Sequence, residues 1–295
     1  MHLPRFRSRP SFLVVMLVAG TAGTATFGAL AERCYDPKEA RAALLAEAEE
    51  KSRAELLELG FAPLSSASAR ALRRATGVEV LSAESPFAIL LGDGEVAGQV
   101  AHTSDVERAV SVLAEELGHH PRTFITKARL SRVLLCRGLR EAEKSIPSLP
   151  NYQRSLLLDV EQAPDFLRRL IHHELFHFAD YAEDDQVRND PEWQALGEQG
   201  FVYGSGGRFQ RDPRSSLPAG APAGFVTPYA TSALEEDKAE TFSFLFVAPG
   251  ALAERSRHDA TLAAKLQLLR RELERFTPEL RSHWSTVFDL EPARR

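Results

Sequence analysis

The stretch that decides the reading is Leu167 to Tyr181, LRRLIHHELFHFADY, because it sets His173, Glu174 and His177 in an HExxH arrangement. Each helical residue advances roughly 100°, so histidines four apart lie one turn above each other and can reach one ion from the same face. Glu174 follows the first of them and projects to the same side. From there it can accept a proton from an activated water without entering the coordination sphere. Leu167, Leu170, Ile171, Leu175, Phe176 and Phe178 surround these groups with apolar surface, the pattern of a helix crossing a domain interior. In a chain with nine histidines a chance HExxH arises at a rate on the order of a few per cent. A third ligand is therefore needed.

A second stretch supplies it. Phe225 to Phe246, FVTPYATSALEEDKAETFSFLF, carries Ser232 and Glu235 in capping-box spacing, which predicts a helix from about Ala233 to Val247, ended by Pro249-Gly250. On it Glu236 and Glu240 are four apart and share a face. One carboxylate can bind a metal while the other accepts the second N–H of a ligating histidine. Tyr229, just ahead of the cap, can offer its hydroxyl to a developing oxyanion.

With both stretches in view, the sequence resembles the gluzincin metallopeptidases. It is most similar to exported bacterial zinc peptidases whose second motif reads YxxxxxxExxxE, as in the catalytic domain of anthrax lethal factor. The resemblance covers about residues 152 to 247 and includes Trp193, Gly200-Phe201 and Tyr203-Gly204 between the motifs. It implies an α+β, zincin-like metalloprotease domain with an N-terminal helical part and one Zn2+ held by His173, His177 and Glu236. It further implies Glu174 as general base, Tyr229 as transition-state donor and Glu240 as the partner that orients a histidine. Lys238 departs from the pattern, since lethal factor has an apolar residue there. The rival third ligand is Glu183, six residues after His177, as in metzincins. Those proteins turn the chain back at a glycine three residues after the second histidine, and here that position is Asp180.

At the N-terminus, Arg5, Arg7 and Arg9 precede an apolar run from Phe12 to Ala19 and a small-residue segment ending Ala29-Leu30-Ala31. This predicts a signal peptide over 1–31, with an uncleaved N-terminal anchor as the alternative. The protein is expected to be exported: secreted, periplasmic or held in the cell envelope. There the only two cysteines, Cys34 and Cys136, could pair as a disulfide. The net charge of −5 and the lack of a basic stripe argue against nucleic acid as a partner. The expected partner is a peptide or protein substrate, with membrane association only if the N-terminal segment stays uncleaved.

Between these landmarks, residues 32–77 read as a helical preface, with helices over Asp36–Gly60 and Ser66–Thr76, and 78–295 as the catalytic domain. Strands are expected at Val78–Leu81, Phe87–Leu91, Arg132–Cys136 and Ser155–Val160, with a helix from the Ser104 capping box to Gly118. His119 and His120 are adjacent, point differently and suit a helix C-terminus better than a metal. The segment with Pro147, Pro150 and Asn151 reads as a loop. Gly197 to Pro228 reads as a long functional or mobile loop, and Leu252 to Phe276 as one amphipathic helix, with Trp284 and Phe288 packing a last helix onto the core. The expected function is peptide-bond hydrolysis; the alternative is a non-catalytic, zinc-stabilised surface or envelope binding module.

Overall fold

The computed structural model describes residues 37–91, 94–152, 154–184, 190–198, 200–204, 206 and 220–281. The expected signal peptide, Cys34, Trp284 and Phe288, and the middle of the 197–228 loop lie outside the described residues. The chain divides at Glu47/Ala48 into two compact units. Of the first, the described part is the opening of helix α1 (Pro37–Glu58).

The second unit mixes α and β. In chain order it holds β1 (Phe61–Pro63), α2 (Ala67–Thr76), β2 (Glu79–Ala83), β3 (Phe87–Leu91), β4 (Gly94–Gln99), α3 (Thr103–Gly118), α4 (Arg122–Lys127) and β5 (Arg132–Glu141). It continues with β6 (Lys144–Ser145), β7 (Ser148–Tyr152), β8 (Ser155–Asp159), α5 (Pro164–Asp184) and α6 (Pro191–Ala195). A 3₁₀ turn at Tyr229–Thr231 then leads into α7 (Leu234–Val247), α8 (Pro249–His258) and α9 (Ala260–Phe276). Among the described residues no helix is long and apolar enough to cross a membrane.

The sheet is mixed. Its first half of β5 pairs in parallel with β2 and with β8, while β1 and β7 add antiparallel edges to β2 and β8. The second half pairs antiparallel with β4 and β6, and β4 with β3. The change falls next to Gly138, whose φ of 59° lets β5 turn out of one hydrogen-bonding plane into the other. β1 and α2, expected in a helical preface, belong to this same unit: β1 extends the sheet and α2 packs on α3.

β7 replaces the expected proline loop. An edge strand tolerates proline because one row of its N–H groups has no ladder partner to lose, and Pro150 falls where the β7–β8 register slips between Leu149 and Tyr152. α5 is longer than expected at both ends, and its Leu167, Leu170, Ile171, Leu175, Phe176, Phe178 and Ala179 are all buried. Beyond α7, the single expected helix is two, because Asp259 caps α9 by accepting from the Leu262 N–H.

Cys136, one end of the expected disulfide, is a fully buried free thiol on β5 whose Sγ donates to the Leu158 carbonyl at 3.7 Å. Burial raises its pKa well above the usual thiol range. Alkylation of position 136 should therefore be slow in the folded, unreduced protein and fast once it is unfolded. Peptide mapping reads both. Fast labelling of the folded chain would contradict this placement, and resistance after unfolding would reveal the bond to Cys34.

Candidate metal centre

α5 and α7 pack side by side, and the site lies where their polar faces meet. His173 and His177 on α5 and Glu236 on α7 form a group that could hold a metal ion. His173 Nε2 lies 3.0 Å from Glu236 Oε2 and 3.1 Å from His177 Nε2, and His177 Nε2 lies 3.4 Å from the same carboxylate oxygen. Donors about 2.0–2.1 Å from a tetrahedral ion lie about 3.3 Å from one another, so this triangle is the right size. Glu236 Oε2 is buried and faces only the two imidazole nitrogens, an arrangement that is costly for three lone-pair-bearing atoms unless protons or a cation lie between them.

His173 is already oriented for this. Its Nδ1 lies 2.9 Å from Glu240 Oε1. A carboxylate only accepts, so Nδ1 carries a hydrogen and Nε2 is the nitrogen that faces the centre, free to bind an ion once its own proton is displaced. The other oxygen of Glu240 accepts from Thr227 Oγ1 at 2.7 Å and from Arg169 at 2.6 Å. Thr227 also accepts the Ala230 N–H at 3.1 Å, which ties the 3₁₀ turn carrying Tyr229 to the same network. Tyr229 stands with its ring centroid 6.1 Å from that of His173.

The electrostatics favour a cation. Burial opposes charge on His173, but Glu236, Glu240 and Glu174 outweigh it and raise its pKa to about 10. Burial likewise opposes the charge of Glu236, yet the two imidazoles hold its carboxyl far below the usual range. The ligands share protons that a metal must displace, so metal uptake should strengthen as pH rises.

Beside the ligands opens a cavity of about 270 Å³, lined by Ser148, Phe166, Leu170, Glu174 and Tyr229 among others. Glu174 is 5 % exposed; its Oε1 accepts from Ser148 Oγ at 2.6 Å, and its buried Oε2 has no partner. The helix-borne residues predicted from sequence and Tyr229 thus come together here. The rival Glu183 is different: α5 runs on through it to Asp184, so the backbone makes no reversal after His177. The side chain of Glu183 lies outside the described residues.

The opposite side of α7 shows how so polar a helix is buried. Lys238 donates to Asp180 at 2.8 Å and Asp190 at 3.0 Å, with Glu272 at 3.7 Å. Burial works against its charge, but these carboxylates hold it above the usual lysine range. Asp237 and Lys265, both fully buried, pair at 2.7 Å, and Asp237 Oδ2 also accepts from Trp193 Nε1 and Tyr203 OH. Lys265 further donates to the Gly224 carbonyl. Tyr203 and Gly224, from either end of the long segment before Tyr229, are thereby fastened to α7 and α9.

His119 ends α3, as expected. His120 does more: it is buried, stacks on Phe124 and Phe242, and lies 2.9 Å from His172 Nδ1, whose Nε2 meets Glu116 at 2.8 Å. This chain braces α5 from the side away from the cavity.

Sequence reasoning missed Ser148, Thr227 and Arg169. Arg169, four before His173, had the helical spacing to be found; Ser148 and Thr227 reach the site only through the pairing of β7 and the turn before α7. Comparisons with protein-family models, with curated proteins and with solved structures each find no match, so the assignment of this centre rests on its own geometry.

Proposed function

We propose that this chain is an exported zinc metallopeptidase of gluzincin type, its α+β unit being a zincin-like domain. The observation that carries the reading is the pairing of a three-donor centre, His173, His177 and Glu236, with an unpartnered buried carboxylate oxygen of Glu174 on a shared cavity. Two imidazoles and one carboxylate suit zinc and leave a fourth position for water or substrate. A purely structural zinc site needs neither Glu174 nor an open cavity.

Zinc, when bound, lowers the pKa of a water to about 7 and polarises the substrate carbonyl. Glu174 takes the proton of the attacking water and returns it to the leaving amine. Tyr229 donates to the carbonyl oxygen as that atom gains charge. Glu240, held by Thr227 and Arg169, keeps His173 in the tautomer that presents Nε2. Export follows from the N-terminal reading and makes the substrate an extracellular or envelope peptide or protein.

The test is a peptide library cleaved by the purified chain from residue 32, with metal content measured on the same preparation. The expected result is cleavage that a chelator abolishes and added zinc restores, at one zinc per chain. A protein loaded with zinc and inert towards the whole library would overturn the reading and favour the binding module.

A further inference from the structure

We infer that Ser148 is a positioning residue for Glu174, one that fixes which carboxylate oxygen faces the reacting water. This rests on the peptidase reading. Ser148 Oγ donates to Glu174 Oε1 at 2.6 Å, and the two side chains are 4 % and 5 % exposed. A hydroxyl that close to a buried carboxylate is a strong, charge-assisted donor. With Oε1 so engaged, Oε2 is the oxygen left without a partner, and proton acceptance falls to it.

The hydroxyl is delivered by a rigid element. Ser148 opens β7 and is in register with Leu158 of β8, and the preceding Pro147 carbonyl accepts the Asp159 N–H at 2.9 Å. β8 is itself paired along its length with the central strand β5. The carboxylate rides on α5 and its donor on the sheet, so their bond fixes Glu174 against an independent frame. Without it the carboxylate can rotate about its terminal torsion, which is broad and soft. Both residues line the same cavity, so a substrate there meets a carboxylate already set.

The experiment compares wild type with Ser148→Ala, Ser148→Thr and Ser148→Val; Thr and Val share a shape and differ in the hydroxyl. Steady-state kinetics on a library-derived peptide, zinc content, and affinity for acetohydroxamate are measured on each. Acetohydroxamate chelates zinc and needs a carboxylate acceptor beside the metal, but no turnover. Ser148→Ala and Ser148→Val should lose about 10–100-fold in kcat, the usual cost of removing an outer partner. KM and zinc content should hold, and acetohydroxamate should bind about tenfold more weakly, as for one lost hydrogen bond. Ser148→Thr should restore both. Equal kcat for Thr and Val, or a change confined to KM, would overturn the inference while leaving the peptidase reading intact. An inert wild type whose acetohydroxamate affinity still depends on the hydroxyl would instead sink the peptidase reading and support the positioning of Glu174.

Discussion

Glu174→Gln should abolish most hydrolysis while leaving the metal and the fold in place. The substitution keeps the side chain's size, and its amide oxygen can still accept from Ser148, but it cannot take a proton. Loss of a general base costs about 10²–10⁴ in rate, more than the repacking of an isosteric side chain could produce. Zinc content should be unchanged, because Glu174 is not among the three converging donors. Thermal stability should be unchanged or slightly higher, since the variant removes one carboxylate from a buried site that also holds Glu236 and Glu240. Tyr229→Phe should be milder, lowering kcat with little effect on KM, because it removes one donor to the oxyanion. Steady-state kinetics and metal analysis on the same preparations decide. A Glu174→Gln protein that cleaves as fast as wild type would mean that the base is misassigned.

The sequence made α5 and α7 legible because their signals are local: helical spacing of ligands on an apolar stripe, and a proline to stop each neighbouring segment. Even there the details moved. Ser232 does not cap α7; Ala233 occupies that position without a side-chain bond. The Ser104 capping box is likewise unused, and the cap of α3 falls two residues earlier, at His102, without a side-chain bond. What remained hidden was whatever depends on partners distant in the chain. Lys238 looks like a surface residue until Asp180, Asp190 and Glu272 arrive from three other elements. Ser148 sits between two prolines, a context that reads as loop unless the strand is known to be a sheet edge. Asp259 looked like an ordinary helix residue, but it caps α9 and also accepts the Gly224 N–H at 2.6 Å.

Glu236→Ala should lose the metal, whereas Glu183→Ala should retain it. The centre is assembled by the contact between α5 and α7, and Glu236 Oε2 is its only carboxylate contribution among the described residues. Removing it leaves two imidazoles, which cannot close a tetrahedral site, and takes away the negative charge that offsets a divalent cation. The fall in affinity should exceed the 10–100-fold expected for an outer partner such as Glu240, whose substitution by Gln makes the natural comparison. Competition against a metal-binding dye would rank the three variants. The apo form of Glu236→Ala should still fold, because the two imidazoles that face this carboxylate can shed their protons and stay neutral once it is gone, which avoids leaving a buried charge unpaired. The prediction for Glu183 follows from the backbone: α5 continues as helix to Asp184, and a residue six beyond His177 is then about 240° further round the helix. Metal ligation from that position requires the last turn of α5 to unwind. Metal lost from Glu183→Ala and kept by Glu236→Ala would show that such unwinding occurs and that the third ligand comes from α5 itself.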